Sequence, residues 1–180
     1  MIREFKPAYP RFEELQKQLI DIATLQDLEN IHSHPDGQLA VQTDGSDDLH
    51  NGVGSSRGKD KEWERSFNKI HPMFKDTLIE DYFSWLGVPV HRARIMCARE
   101  KGCYSLHKDL SPRLHLPLKT NNQCFFLLGD PDVNSFEKIS ATLYHLPADG
   151  KTTWIDTRNV HTFINGSTER RLHLVMIVDE

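Results

Sequence analysis

Three cysteines in 180 residues, none at Cys-x-x-Cys spacing, are too few for a disulfide framework. Cys97, Cys103 and Cys124 fit a reducing compartment, so a cytoplasmic location is the expectation. Long apolar runs are missing too. The longest, CFFLLG at 124–129, is strand-sized, and the opening MIREFKPAYPRFEEL has no apolar core of a secretory signal, so no membrane partner is expected. There is no long basic block and the formal net charge is −4, which disfavours nucleic acid as an electrostatic partner. Neither GxGxxG nor a Walker sequence occurs, and the absence of strand–helix–strand alternation excludes a Rossmann sheet.

What is present is a polar chain, 38% apolar with a mean hydropathy of −0.55, long enough for one domain with a sizeable core. Residues 10–31 read as a helix: Phe12, Leu15, Leu19 and Ile22 share a face, and Pro10 suits a first turn. HPDG (34–37) is turn chemistry, and QLAVQT (38–43) reads as the first strand. Residues 44–62, DGSDDLHNGVGSSRGKDKE, have little to bury and predict a long mobile loop, a candidate lid. A second helix is expected over 72–87, with Phe74, Leu78, Tyr82 and Trp85 or Leu86 inward and Gly87 closing it.

Beyond residue 88 the pattern turns β-rich. Expected strands are 90–98, 103–108, 113–119, 123–128, 140–146, 152–156, 159–164 and 171–178, parted by turn signals such as SP (111–112), GDPD (129–132), PADG (147–150) and NGS (165–167). Two helices followed by about eight short strands predict a mainly β fold, a double-stranded β-helix (jelly roll, cupin-like) with N-terminal helices on one side. One domain is expected, with 1–87 as helical support, first strand and loop, and 88–180 as the jelly-roll core.

The chemistry concentrates in YSLHKDLSPRLHLPL (104–118), where polar groups alternate with leucines. On a strand, residues two apart face the same way, so His107 and Asp109 present an imidazole and a carboxylate together. A second His-x-Asp, His34-Pro35-Asp36, contains proline and runs into Asp-Gly, so it reads as a turn. His161, in a distant β-rich segment, supplies a third ligand, and two histidines with one carboxylate form the facial triad that holds Fe(II) with open positions. The tetrapeptide RLHL occurs at 113–116 and again at 171–174. If its leucines face the packing layer, Arg113, His115, Arg171 and His173 point inward, where a guanidinium needs an anion. A dicarboxylate lying across a metal provides one; a structural ion pair of Arg171 with Asp156 or Glu169 is the other reading.

The ordered set HKD, then RLHLPL, then His161 with Asn165 four later and Arg171 ten later, resembles the aspartyl/asparaginyl β-hydroxylase-like branch of the Fe(II)/2-oxoglutarate-dependent dioxygenases over roughly residues 88–179. The resemblance implies His107, Asp109 and His161 as iron ligands, and Arg171 on the distal carboxylate of 2-oxoglutarate. It places Arg113 and His115 beside the co-substrate, has Asn165 orienting the distal ligand or capping the pocket, and leaves His173 as a supporting residue. It further implies O2-dependent hydroxylation of an unactivated C–H, with succinate and CO2 as co-products. Members of the secretory pathway carry an anchor and extra helical domains; their absence here directs the expectation toward a small molecule or short peptide. Two other readings stand beside it: a non-enzymatic jelly-roll metal-binding module, and a cupin-type metalloenzyme that does not use 2-oxoglutarate.

Overall fold

The computed structural model describes residues 1–28, 30, 37–130 and 140–179. In chain order the elements are β1 (Ile2–Ala8), α1 (Phe12–Leu25), β2 (Gln38–Ala40), β3 (Gln42–Thr43), α2 (Lys61–Ser66), β4 (Lys69–Ile70), a 3-10 turn at Pro72–Phe74 and α3 (Ile79–Leu86). Then follow β5 (Val90–Ala98), β6 (Gly102–Cys103), β7 (Arg113–Lys119), β8 (Cys124–Gly129), β9 (Ala141–Tyr144), β10 (Lys151–Ile155), β11 (His161–Asn165) and β12 (Arg171–Val178).

Two antiparallel sheets form the body, ordered β1-β10-β7-β12-β5-β2 and β6-β11-β8-β9, with a short β3-β4 ribbon apart. From β5 to β12 each strand crosses to the other sheet, except at the β8-β9 hairpin. That alternation is the jelly roll. β12 lies at the centre of the larger sheet between β7 and β5, and all eight of its residues are buried. A strand covered on both faces must satisfy two environments. Leu172, Leu174, Met176 and Val178 join Leu114, Leu116 and Ile95 in a core shared with Leu15 and Leu19 of α1 and with Tyr82 and Leu86 of α3. The residues between them look toward the smaller sheet. There Ala98, Ile155, Phe126, Leu128, Leu146 and Phe163 make a second, smaller cluster that fills only part of the space.

The helices form where apolar spacing demands. α1 buries Phe12, Leu15, Leu19 and Ala23, so Ala23 rather than Ile22 is its fourth fully inward position. It ends at Leu25, short of the expected 31, with Asp27 left-handed at φ 50 after the cap. The 72–87 segment is divided: the 3-10 turn comes first, α3 starts at Ile79, and Gly87 closes it at φ 70. The expected 38–43 strand is split between β2 and β3, and it is not the first. β1 precedes it, an edge strand on β10 with most side chains at least partly exposed, which is why apolar alternation did not reveal it. The 103–108 strand shrinks to β6, although its continuation still follows β11. The expected turns at 34–37 and 129–132 fall partly outside the described residues, and the second His-x-Asp at 34–36 does so entirely.

Residues 44–60 lack helix or strand, yet they are fastened along their length. Ala40 N–H donates to Leu49 O at 2.8 Å, Arg92 Nε to Gly52 O at 2.7 Å, Arg92 Nη2 to Gly54 O at 2.8 Å, and Gly54 N–H to Gln38 Oε1 at 3.2 Å. The expected loop ends early because Asp60 caps α2, accepting from Trp63 N–H at 2.8 Å. Among the described residues no helix is long and apolar enough to cross a membrane. Leu174, fully buried between helices and sheet, tests the packing: Leu174→Ala should lower the unfolding free energy by about 2–5 kcal/mol in urea denaturation.

Candidate functional site

The unfilled space between the sheets is a cavity of roughly 850 Å³. Its wall combines the inner face of the larger sheet (Arg94, Met96, Arg113, His115, Arg171, Val175) with Phe126, His161 and Phe163 of the smaller one. Segments 54–58 and 104–110 complete it.

Backbone pairing brings three potential ligands together. His107 and His161 exchange both main-chain hydrogen bonds, at 3.1 and 2.9 Å, as a directly opposed antiparallel pair, so their side chains stand on one face. The rings lie 4.2 Å apart. Asp109, two residues on, shares that face, and its N–H donates to Thr157 O at 2.8 Å. One ligand atom from each of His107, Asp109 and His161 lies within 4.8 Å of the other two, and Asp109 Oδ2 is 3.6 Å from His161 Nε2.

The donor set suits a divalent cation. His107 Nδ1–H donates to Ser105 O at 2.8 Å and His161 Nδ1–H to Asn159 O at 3.0 Å, which fixes the tautomer and leaves each Nε2 lone pair for a metal. Burial pushes the His161 imidazole down to about 4 against the opposing pull of Asp109, so it is neutral at pH 7. Burial raises the Asp109 carboxyl, but Arg113, His161, His107 and Arg94 together outweigh it and hold the group below the usual carboxylate range, hence ionised. Two imidazoles and one carboxylate are the ligands that Fe(II) takes on one face.

Arg171 and His173 occupy alternate positions of β12, and Arg171 Nη2 donates to His173 Nδ1 at 2.9 Å. The Arg171 guanidinium lies 4.4 Å over the Phe163 ring, and burial pushes it down to about 10. Among the described residues no carboxylate lies within ion-pairing distance of it: Asp156 holds Arg158 at 2.6 Å, and Glu169 lies 4.0 Å from Lys119. The ion-pair reading of Arg171 therefore fails. His115, pushed well below the usual imidazole range by burial and then by Arg171, faces the cavity with Nδ1 unpartnered.

Arg113 is different, since an ion pair does engage it. Its Nη2 donates to Glu64 Oε1 at 2.7 Å, and its Nε lies 3.2 Å from Asp109 Oδ2 without hydrogen-bond alignment. Glu64, on α2, was invisible to sequence reasoning because it sits among charged residues at the end of a polar stretch. It is fully buried, also accepts from Ser111 Oγ at 2.8 Å, and lies 3.5 Å from Arg92 Nη1. The only available cue was the capping residue Asp60 four positions earlier. Arg92, Arg94 and Tyr104 are further wall residues that sequence reasoning did not select.

Asn165, expected to orient the distal ligand or cap the pocket, is fully buried and is not among the residues that line the cavity. Its Nδ2 donates to Ala98 O, Arg99 O and Glu169 O, and its Oδ1 accepts from Ser167 N–H and Oγ–H. With those commitments it ties the β11 end to the turn that delivers Arg171. His173 is buried behind Arg171, outside the wall.

The chain is similar to AviO1 from Streptomyces viridochromogenes, with a TM-score of 0.56 and 13% identity over 99% of this chain and 89% of that one. The non-heme monooxygenase ThoJ in its apo form matches with a TM-score of 0.53 and 13% identity over 98% and 73%. IDO from Bacillus thuringiensis matches with a TM-score of 0.50 and 16% identity over 99% and 90%. At such identities the likeness establishes a shared fold. No protein-family model matches the sequence, and no curated protein does.

Glu64→Ala would leave Arg113 without its close counter-ion in a buried wall. It should cost about 3–5 kcal/mol of stability in urea unfolding, with Glu64→Gln costing less because it still accepts hydrogen bonds.

Proposed function

We propose that this chain is a metal-dependent oxygenase that uses Fe(II) and 2-oxoglutarate to hydroxylate an unactivated C–H of an amino acid, peptide side chain or related small molecule. The observation that carries this reading is that His107, Asp109 and His161 converge in the same cavity as Arg171, a buried guanidinium with no carboxylate of the described residues in ion-pairing distance. A structural or sensing metal site has no use for such a group. The fold likeness to ThoJ, a non-heme monooxygenase, supports the reading, as does the resemblance of the H-x-D…R-x-H-x-P…H…R set to the aspartyl/asparaginyl β-hydroxylase-like branch.

When bound, iron would supply the activation of O2 that C–H hydroxylation needs. The chain's own residues do the rest. His107 and His161 offer Nε2, each ring oriented by a main-chain carbonyl. Asp109 offers a carboxylate kept ionised, with Arg113 beside it. Arg171, backed by His173 and laid on Phe163, is oriented to receive the far carboxylate of the co-substrate. Phe126, stacked on His161 at 5.4 Å, and Phe163 keep the inner end of the cavity apolar and exclude water.

The deciding experiment loads the purified protein with Fe(II) without oxygen, adds 2-oxoglutarate and records the visible spectrum. A weak metal-to-ligand charge-transfer band is expected. Arg171→Ala should abolish the band while Fe(II) affinity is kept, whereas His107→Ala, Asp109→Ala and His161→Ala should each weaken Fe(II) by more than about 100-fold. Iron binding without a band would instead favour the metal-binding module.

A further inference from the structure

The cavity wall is more basic than one co-substrate requires. Among the described residues its cationic side chains are Arg57, Arg92, Arg94, Lys108, Arg113 and Arg171, and its single acidic one is Asp109. Glu64 from behind the wall answers Arg113 and approaches Arg92, and Arg92 is further occupied by the Gly52 and Gly54 carbonyls and by the Trp63 ring, 4.5 Å from its guanidinium carbon. Arg57 and Lys108 are exposed and solvated. Two buried guanidiniums remain, Arg171 and Arg94.

Arg94 is 5% exposed, and its known contacts are neutral: Nη1 donates to Gln38 Oε1 at 3.0 Å and lies 3.4 Å from Gly54 O. Its Nε has no hydrogen-bond partner, and no carboxylate among the described residues lies within ion-pairing distance of it. A buried guanidinium left so is costly unless an anion joins it. The two arginines enter the cavity from different places on the sheet. On β12 the register partner of Arg94 is Val175, four residues beyond Arg171, a separation of about 13 Å along the sheet. Of the two carboxylates of 2-oxoglutarate, one is taken by the metal end and the other by Arg171, so none is left for Arg94.

We infer that Arg94 is a substrate-binding residue and that the substrate carries a carboxylate, gripped by the part of its guanidinium that faces the cavity, with the 54–58 segment as the adjoining wall. The inference rests on the metal and co-substrate reading above and adds the substrate class to it. Arg94 lines the same cavity as His107, Asp109 and His161, so a small molecule whose carboxylate is held there shares one enclosed space with the candidate metal ligands. Nη1 is fixed by Gln38, which is itself held by Gly54 N–H, so the guanidinium is set before any ligand arrives.

The test uses the full chain loaded with Mn(II) and saturated with 2-oxoglutarate, titrated calorimetrically with free amino acids and N-acetyl dipeptides, each as the carboxylate and as its amide. At least one carboxylate should bind about 10- to 100-fold more tightly than its amide; Arg94→Gln should erase that preference and hold 2-oxoglutarate within about two-fold of wild type. Thermal melting of the ligand-free variant should be no lower than that of wild type, because an uncompensated buried charge has been removed. If Arg94→Gln does not fold, Arg94→Lys keeps the charge but loses the planar fork, and the preference must still fall. Equal binding of every carboxylate and its amide, an unchanged preference in the variant, tighter binding of inorganic phosphate than of any carboxylate, or loss of 2-oxoglutarate from the variant each overturn the assignment of Arg94. Failure of the wild type to bind 2-oxoglutarate is a separate result, which removes the dioxygenase reading and this inference with it.

Discussion

The reciprocal main-chain pair between His107 and His161 is the contact on which the site depends. It joins a segment with almost no regular structure to the first residue of β11, and in doing so sets both imidazoles on one face. The remaining geometry follows from it. Asp109 reaches the same face because strand-like backbone has a period of two, and Thr157 fixes its N–H. Each ring then finds a carbonyl within its own segment, at Ser105 and at Asn159, that directs its other nitrogen outward. The three side chains are thereby brought together by main-chain bonds alone, an arrangement that would lower the ordering cost of binding an ion between them.

The larger sheet supplies the second constraint. Its inner face carries guanidiniums and imidazoles, whereas its outer face carries leucines. Leucines at alternate positions of β7 and β12 secure the outer face against α1 and α3 strongly enough that the inner face is free to be polar. Charge is then distributed by position: Arg113 and Arg92 are balanced from α2, while Arg171 and Arg94 meet no carboxylate among the described residues.

Much of this was legible in the sequence because alternation is a strong signal in buried strands. The segments 90–98, 113–119 and 171–178 match β5, β7 and β12 at both ends, and the RLHL repeats placed leucine and arginine on opposite faces. What failed to show had weak local signals. β1 is an edge strand, and most of its side chains touch solvent. Segment 104–110 pairs through a single bridge, so its polar alternation was real but its strand was not. Asn165 stood at a position resembling a functional one, yet its amide is consumed by carbonyls of the neighbouring turn. Glu64 was least accessible of all, since a carboxylate in a charged stretch is ordinarily solvated and only the tertiary fold turns it inward.

The short helix α2 has a consequence for how the chain tolerates change. Loops that join sheet elements are usually the cheapest places to lengthen, shorten or exchange, because few contacts depend on them. Here the same stretch provides both a face of the cavity and the carboxylate that neutralises its base. Remodelling residues 44–66 would thus alter the electric potential at the His107, Asp109 and His161 cluster as well as the shape of the cavity. Reach and charge are inherited together, and a segment grafted from another jelly roll would have to bring its own buried acid.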